Sequence, residues 1–367
     1  MKYSHEDLVR VAKRQNNNKR GYLVVNPMQG KHVPVSPGNA LQLFDDLAKV
    51  VENEFGDDKL LVIGFAETAT AIGAQVAISL NAQYIQTTRE IIPDVGYIYF
   101  SEAHSHATEQ KLVKDDMDAV IKEIDRIVFV EDEVTTGNTI MNIITILRRM
   151  YSQEIQFSVL SLLNGMDESA LNKYEEQGIS VFYLLKTNHE TYDEIANTFA
   201  GDGVYHDCKD KVSEAPFVFY NVEGKLNPRR LLDSKAYDEA NQKLAQAVMG
   251  RFSFEKSQRI LVIGSEECMY PALFVGSRIE EAGCVVKCHS TTRSPIEVSS
   301  EDTYPLKARY ELNSLYDRER RTFIYNLDKY DCVIVITDSE LKEQEGLLSL
   351  ISALALQNSN ISVFRWY

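Results

Sequence analysis

A chain of 367 residues, 44% of them apolar, is too long for one ordinary core and normal for globular protein, so it predicts two or three domains. The net charge of −15, from 54 acids against 39 bases, excludes non-specific binding to nucleic acid or to an anionic membrane, since both need a basic face. Five cysteines, odd in number and without a Cys-x-x-Cys pair, read as reduced thiols, and neither a signal-peptide core nor a membrane-length run of ~20 apolar residues is seen, so a cytoplasmic protein is expected.

In chain order, His5 to Arg14 predicts a short helix before a polar Asn16-Asn17-Asn18 break. Gly21 to Pro37 predicts a strand and a structured loop containing Lys31 and His32, and Asn39 to Val50 a helix. Leu60 to Gly64 is a buried strand that runs through Phe65-Ala66-Glu67-Thr68-Ala69 into an Ala-rich helix from Thr70 to Leu80. Such a strand-loop-helix offers an anion the free N–H groups of a helix start. Gln83 to Thr88 is a third strand ending at Arg89, which suits bidentate phosphate binding or a surface pair with Glu90. Phe100 to Leu112 places His104 and His106 in a polar segment with Lys111, and imidazoles there can donate or shuttle a proton near neutral pH. Asp115 to Glu123 reads as a helix.

The next stretch, RIVFVEDEVTTGNTIMNIITIL from Arg126 to Leu147, organises the chain. Ile127 to Val130 is a short β-favouring apolar run ended by Glu131, Asp132 and Glu133. Thr135, Thr136, Gly137, Asn138 and Thr139 then lead into Ile140, Ile143, Ile144 and Leu147, whose spacing draws one apolar helix face. The unpartnered N–H groups of this helix start, the macrodipole behind them, the threonine hydroxyls and the close approach that Gly137 permits all suit a phosphate. Two carboxylates at the strand end would repel that phosphate, so they serve vicinal hydroxyls or a Mg²⁺ shared with the substrate. Phosphate, diol and metal together point to a ribose 5-phosphate. An ordinary Thr-capped turn would leave both acids unexplained.

Val128-Phe129-Val130-Glu131-Asp132-Glu133-Val134-Thr135-Thr136-Gly137-Asn138-Thr139 resembles the loop with which type I phosphoribosyltransferases bind 5-phosphoribosyl-1-pyrophosphate (PRPP). The resemblance implies that Glu131 and Asp132 hold the ribose 2′ and 3′ hydroxyls and that Thr135 to Thr139 cradle the 5-phosphate. It further implies that Ala66, Glu67, Thr68 and Ala69 form the pyrophosphate loop, although Glu67 would have to reach Mg²⁺ or turn away, and that Arg89 lies against pyrophosphate. The segment with His104 and His106 becomes the loop that closes over PRPP. A small N-terminal hood would hold the base, with Lys31 and His32 as base contacts or as plain solvated side chains.

Beyond the central helix, Ile155 to Leu163, Met166 to Gln177 and Ile179 to Leu185 continue as strand, helix and strand, and periodicity fades from Asn188 to Pro228. Arg259 to Gly264, RILVIG, then repeats Lys59 to Gly64, KLLVIG, and Thr291-Thr292-Arg293-Ser294 repeats Thr87-Thr88-Arg89-Glu90. From glycine to arginine the distance is 25 residues in the first half and 29 in the second. Cys332 to Asp338 corresponds to Val128 to Asp132, but Leu341 to Glu345 replaces the phosphate turn with acids and no glycine. Thr292-Arg293-Ser294-Pro295 resembles the TRSP domain, which follows a phosphoribosyltransferase domain in bacterial proteins associated with tellurium-resistance gene clusters. Glu266, Tyr270, Thr292, Arg293 and Ser294, beside Glu267 and Cys268, form either a second pocket or a helix cap with an ion pair. Cys284, Cys288 and His289 fit a metal or, equally, core packing on one strand face.

The expectation is an α/β protein of two Rossmann-like domains with mainly parallel sheets. Residues 1–205 would be a type I phosphoribosyltransferase with its hood, 206–228 a linker and 229–367 a TRSP domain that is a degenerate repeat. The implied reaction moves ribose 5-phosphate from PRPP to a nitrogen base or base-like acceptor and releases pyrophosphate. Mg²⁺ would be the cofactor, held through the substrate and Asp132 with no direct protein site, and the second domain would bind or convert the product. A PRPP-sensing regulator without turnover, N-glycoside hydrolysis and a homodimeric assembly stay open.

Overall fold

The computed structural model describes residues 2–15, 20–100, 110–209, 215–340 and 344–367. The chain opens with α1 (His5–Leu8), capped by Ser4, then β1 (Arg10–Lys13) paired antiparallel with β2 (Tyr22–Val25). The single helix expected over residues 5–14 is thus corrected: β-branched Val9 and Val11 favour extended backbone, and Val11 pairs with Val24. There follow α2 (Pro37–Lys49), β3 (Leu60–Gly64), α3 (Thr70–Ser79), β4 (Gln83–Gln86), β5 (Tyr97–Phe100), β6 (Gln110–Val113) and α4 (Lys114–Val120). Next come β7 (Arg126–Val134), α5 (Asn138–Met150), β8 (Gln156–Asn164), α6 (Glu168–Glu176), β9 (Ile179–Lys186), α7 (Tyr192–Thr198), β10 (Val204–Asp207), β11 (Val218–Val222) and β12 (Leu232–Asp233). The rest is α8 (Ser234–Met249), β13 (Arg259–Gly264), α9 (Tyr270–Glu281), β14 (Val285–Ser290), β15 (Ala308–Asn313), β16 (Arg321–Tyr325), β17 (Cys332–Thr337), α10 (Gln344–Ala355) and β18 (Ile361–Trp366). None of these helices is long and apolar enough to cross a membrane.

Contacts divide the chain into a first unit, Phe44–Thr187 with Leu226–Glu239, and a second, Lys2–Leu43 with Asn188–Lys225 and Ala240–Tyr367. These units do not follow the boundaries expected at 205 and 229. The weakly periodic stretch after Asn188 supplies β10 and β11, which pair with β15 and β18 of the second unit. The N-terminal segment expected as a hood also belongs there: Ala12 and Val25 pack with Ile296, Val298, Tyr304, Phe323 and Tyr325.

In the first unit the described sheet has the order β12-β4-β3-β7-β8-β9, parallel throughout except for β12. Ile127, Val128, Phe129 and Val130 of β7 are fully buried, as a strand covered on both faces requires, and only Glu131 to Glu133 emerge at its C-terminal end. Ile140, Ile143, Ile144 and Leu147 are the buried face of α5. Chain order reverses between β3 and β7, so the crevice outside their C-terminal ends is the place where an open parallel sheet takes its ligand.

In the second unit the sheet runs β11-β18-β17-β13-β14, again all parallel. With β13, β14, β17 and β18 set against β3, β4, β7 and β8, the two orders are the same, and β11 enters out of chain order at the place of β9. The registers also agree. Gly64 pairs with Gln86 and Val130, and Gly264 with Ser290 and Ile336, so Asp338 stands where Asp132 does. An antiparallel bridge joins the strand end to the following hairpin in both units, Thr88 to Lys111 and Thr292 to Phe323.

Candidate active site

In the first unit, β3 delivers the Phe65 to Ala69 loop and β7 delivers the acids to the same crevice. The Thr68 hydroxyl donates to Asp132 Oδ1 at 2.8 Å, tying loop to acid pair. The loop's other anchor is Thr87, whose Oγ1 accepts from the Ala66 N–H at 2.8 Å and donates to Gln110 Oε1 at 2.7 Å. Ala66, Glu67 and Ala69 are buried and Thr68 is half-buried. The peptide bond between Ala66 and Glu67 is cis.

Glu131 and Asp132 are half-buried side by side. Burial, then the Asp132 charge, pushes the Glu131 carboxyl well above the ordinary range. Asp132 is also raised by burial and by Glu133, with the Thr68 hydrogen bond opposing. A group that donates hydrogen bonds or brings positive charge would relieve both.

Past the acids the chain turns at Gly137, whose φ of 72° is left-handed, and α5 starts at Asn138. Thr136 Oγ1 accepts from the Asn138 N–H at 3.3 Å, while Thr135 and Thr139 are half-buried on either side. Tyr174 of α6 donates its hydroxyl to the Gly137 carbonyl at 2.5 Å, and a Cβ on Gly137 would lie 2.6 Å from that oxygen. Burial pushes the Tyr174 hydroxyl up, so it stays a donor. Sequence reasoning missed Tyr174, which stands on a polar helix 37 residues away with no local signal.

Arg89 follows Thr88 and is half-buried, its carbonyl taking the Lys111 ammonium at 3.2 Å. Lys111 thus shapes the loop after β4. His104 and His106 lie outside the described residues. Lys31 and His32, expected as base contacts, belong to the second unit. Val35 exchanges backbone hydrogen bonds of 2.9 and 2.7 Å with Cys288 of edge strand β14, which fixes their segment in the second unit. There His32 is buried edge-on to Tyr325, and Lys31 is 1% exposed with its Nζ donating to the carbonyls of Glu266 (2.9 Å) and Thr291 (3.1 Å).

Of the second set, Glu266 and Arg293 meet at 2.9 Å, and Arg293 also reaches Glu267 at 3.2 Å. Thr292 Oγ1 accepts from the Ser294 N–H at 3.2 Å, the Ser294 carbonyl accepts from Tyr325 at 2.7 Å, and Tyr270 is buried at the start of α9. Arg320 and Ser314, both on Glu266, were missed. Asp317-Arg318-Glu319-Arg320-Arg321 reads as a solvated charge run, and only the hairpin's place in the repeat distinguishes it. All five cysteines are buried. Cys288, its thiol pushed up by burial, faces the Ala272 carbonyl.

The phosphoribosyl transferase family matches residues 8–186, and the TRSP domain, described as C-terminal to that family, matches residues 228–354. No curated protein matches the chain. Similar solved structures include adenine phosphoribosyltransferase from Rhodothermus marinus, 15% identical with TM-score 0.36 over 50% of this chain and 96% of that one. The Trypanosoma brucei enzyme, solved with AMP, pyrophosphate and ribose-5-phosphate, is 12% identical with TM-score 0.34 over 49% and 77%. The Saccharomyces cerevisiae enzyme, complexed with an imino-altritol bisphosphate and adenine, is 12% identical with TM-score 0.33 over 48% and 94%.

Proposed function

The chain belongs to the phosphoribosyl transferases that carry a C-terminal TRSP domain, and from that premise we propose that its first unit transfers ribose 5-phosphate from PRPP to a nitrogen base or base-like acceptor, releasing pyrophosphate. The carrying observation is the 2.8 Å bond from Thr68 to Asp132, which joins the Ala66 to Ala69 loop to the acid pair directly before the Gly137 turn. A pyrophosphate, a ribose diol and a 5-phosphate each find a partner within one crevice. Glu131 and Asp132 would accept the ribose hydroxyls and stabilise positive charge growing at C1, where their raised carboxyls gain most. The helix start from Thr135 to Thr139 would take the 5-phosphate. The main chain of Ala66 to Ala69, with Arg89, would take the leaving pyrophosphate.

Mg²⁺ fits this donor set when it shares substrate oxygens, because the Asp132 carboxylate stands at the strand end beside the Ala66 to Ala69 loop. Asp132 and Glu67 would be its protein contacts, and the ion would neutralise charge on the departing pyrophosphate. For His104 and His106 we propose proton donation to that leaving group. The internal repeat supports this: at the same place between β15 and β16 the second unit carries Ser314 and Arg320 to the residue that replaces Ala66. The second unit would bind or convert the phosphorylated product, with Arg293 as its anion contact.

The test is a thermal-shift titration of the full chain with PRPP, with and without Mg²⁺, followed by candidate nitrogen bases. PRPP with Mg²⁺ should raise the melting temperature, and the true acceptor's product should raise it further. A folded chain indifferent to PRPP at millimolar concentration would contradict the proposal.

A further inference from the structure

The two units keep the same hydrogen bonds at the loop after their first sheet strand. Thr87 N–H donates to the Gly64 carbonyl at 2.9 Å and Thr291 N–H to that of Gly264 at 3.0 Å. Thr87 Oγ1 accepts from the N–H of Ala66 at 2.8 Å, and Thr291 Oγ1 from that of Glu266 at 3.0 Å. The following helices start at Thr70 and Tyr270. Glu266 therefore stands where the first unit has Ala66, Glu267 where it has Glu67, and Arg293 where it has Arg89. The substitution that matters is alanine to glutamate.

That glutamate is not a surface residue. Its backbone is left-handed, with φ 48°, and is pinned by Lys31 on its carbonyl at 2.9 Å and Thr291 on its N–H. Its side chain is 1% exposed, and one carboxylate oxygen, Oε2, takes both Arg293 Nε and Arg320 NH1 at 2.9 Å. The other, Oε1, takes the Ser314 hydroxyl at 2.5 Å. Two guanidinium groups and a hydroxyl converging on one buried oxyanion make a site of the kind that recognises phosphate. The arginine side chains keep 10% and 18% exposure.

We propose that the second unit contains an anion site for a phosphate or pyrophosphate group, built by Arg293, Arg320 and Ser314, which its own Glu266 carboxylate occupies. A ligand enters only by displacing Glu266, and this makes the second unit self-inhibited toward free anions. Glu267, on Arg293 at 3.2 Å, keeps that arginine in place when Glu266 leaves. The choice of anion rests on the proposal that the second unit takes a phosphorylated ligand.

The experiment is calorimetric titration of the full chain with pyrophosphate in Mg²⁺. Wild type should bind one equivalent, in the first unit. Glu266→Ala should bind a second with at least about tenfold higher affinity than any second event in wild type, because two charge-assisted contacts are released. Adding Arg320→Ala should remove that second event. Where Glu266→Ala does not fold in chloride, Glu266→Gln decides: a second equivalent supports the site, and a folded Glu266→Gln chain with wild-type stoichiometry overturns it. A wild type that binds none while Glu266→Ala binds one would refute the first-unit reading and leave this one standing.

Discussion

Asp132 is held where burial and Glu133 work against its charge, with the Thr68 hydroxyl the largest influence opposing them. Because the carboxyls of Glu131 and Asp132 are raised in the folded chain, folding favours their protonated forms. Their effect on the unliganded protein is therefore loss of stability as pH rises from the unfolded carboxyl range, near about 4, through the raised folded values. Asp132→Asn keeps an acceptor for Thr68 and removes the charge, so its melting temperature should exceed that of wild type by a margin that widens from about pH 4 to about pH 8. Melts across that range check it, and a margin that is flat or reversed would count against buried charge as the cause. Asp132 was legible in the sequence because a capped turn does not need acids at the strand end. Arg320 was not, since what distinguishes it is a partner 54 residues away. The partners of Lys31 were not legible for a related reason: a basic residue in a loop carries no mark of the unit whose carbonyls it will meet.

At the scale of elements, the strand-turn-helix from Arg126 to Met150 was readable because each part has its own local signal: a short buried apolar run, a glycine, then spacing of three and four. The left-handed Gly137 makes the turn, and Tyr174 closes over it. Gly137→Ala must put a Cβ at 2.6 Å from the Tyr174 hydroxyl while holding a left-handed backbone. A cost of about 2 kcal/mol follows, together with weaker binding at the helix start. Urea unfolding and PRPP titration should both register it, and an unchanged midpoint with unchanged affinity would mean that the turn is not built this way. β1 was not readable, because a four-residue strand is specified by its partner β2 and not by its own periodicity. β11 escaped for a topological reason, since it joins the sheet beside β18 from far upstream in the chain.

For the whole molecule, the repeat between halves was visible in RILVIG and Thr-Thr-Arg, and the sheets carry it through strand order and register. Where the units divide was not visible, because sequence families and compact units are cut differently: the TRSP match begins at 228, yet its unit includes Lys2–Leu43 and Asn188–Lys225. A fragment of residues 229–367 would lack β11 from its sheet edge, Ala12 and Val25 from its core and the buried Lys31 ammonium. It should show no cooperative thermal transition in circular dichroism, and a sharp transition in that fragment would mean that these segments are accessory. The central claim concerns the first unit, and the most direct measurement is pyrophosphate release from PRPP with Mg²⁺ across a panel of nitrogen bases, by wild type and by Asp132→Asn. The account predicts acceptor-dependent release by wild type and a loss of roughly 10²-fold or more in the folded variant. Equal rates from the two proteins, or no release with any acceptor by a wild type that binds PRPP, would contradict it.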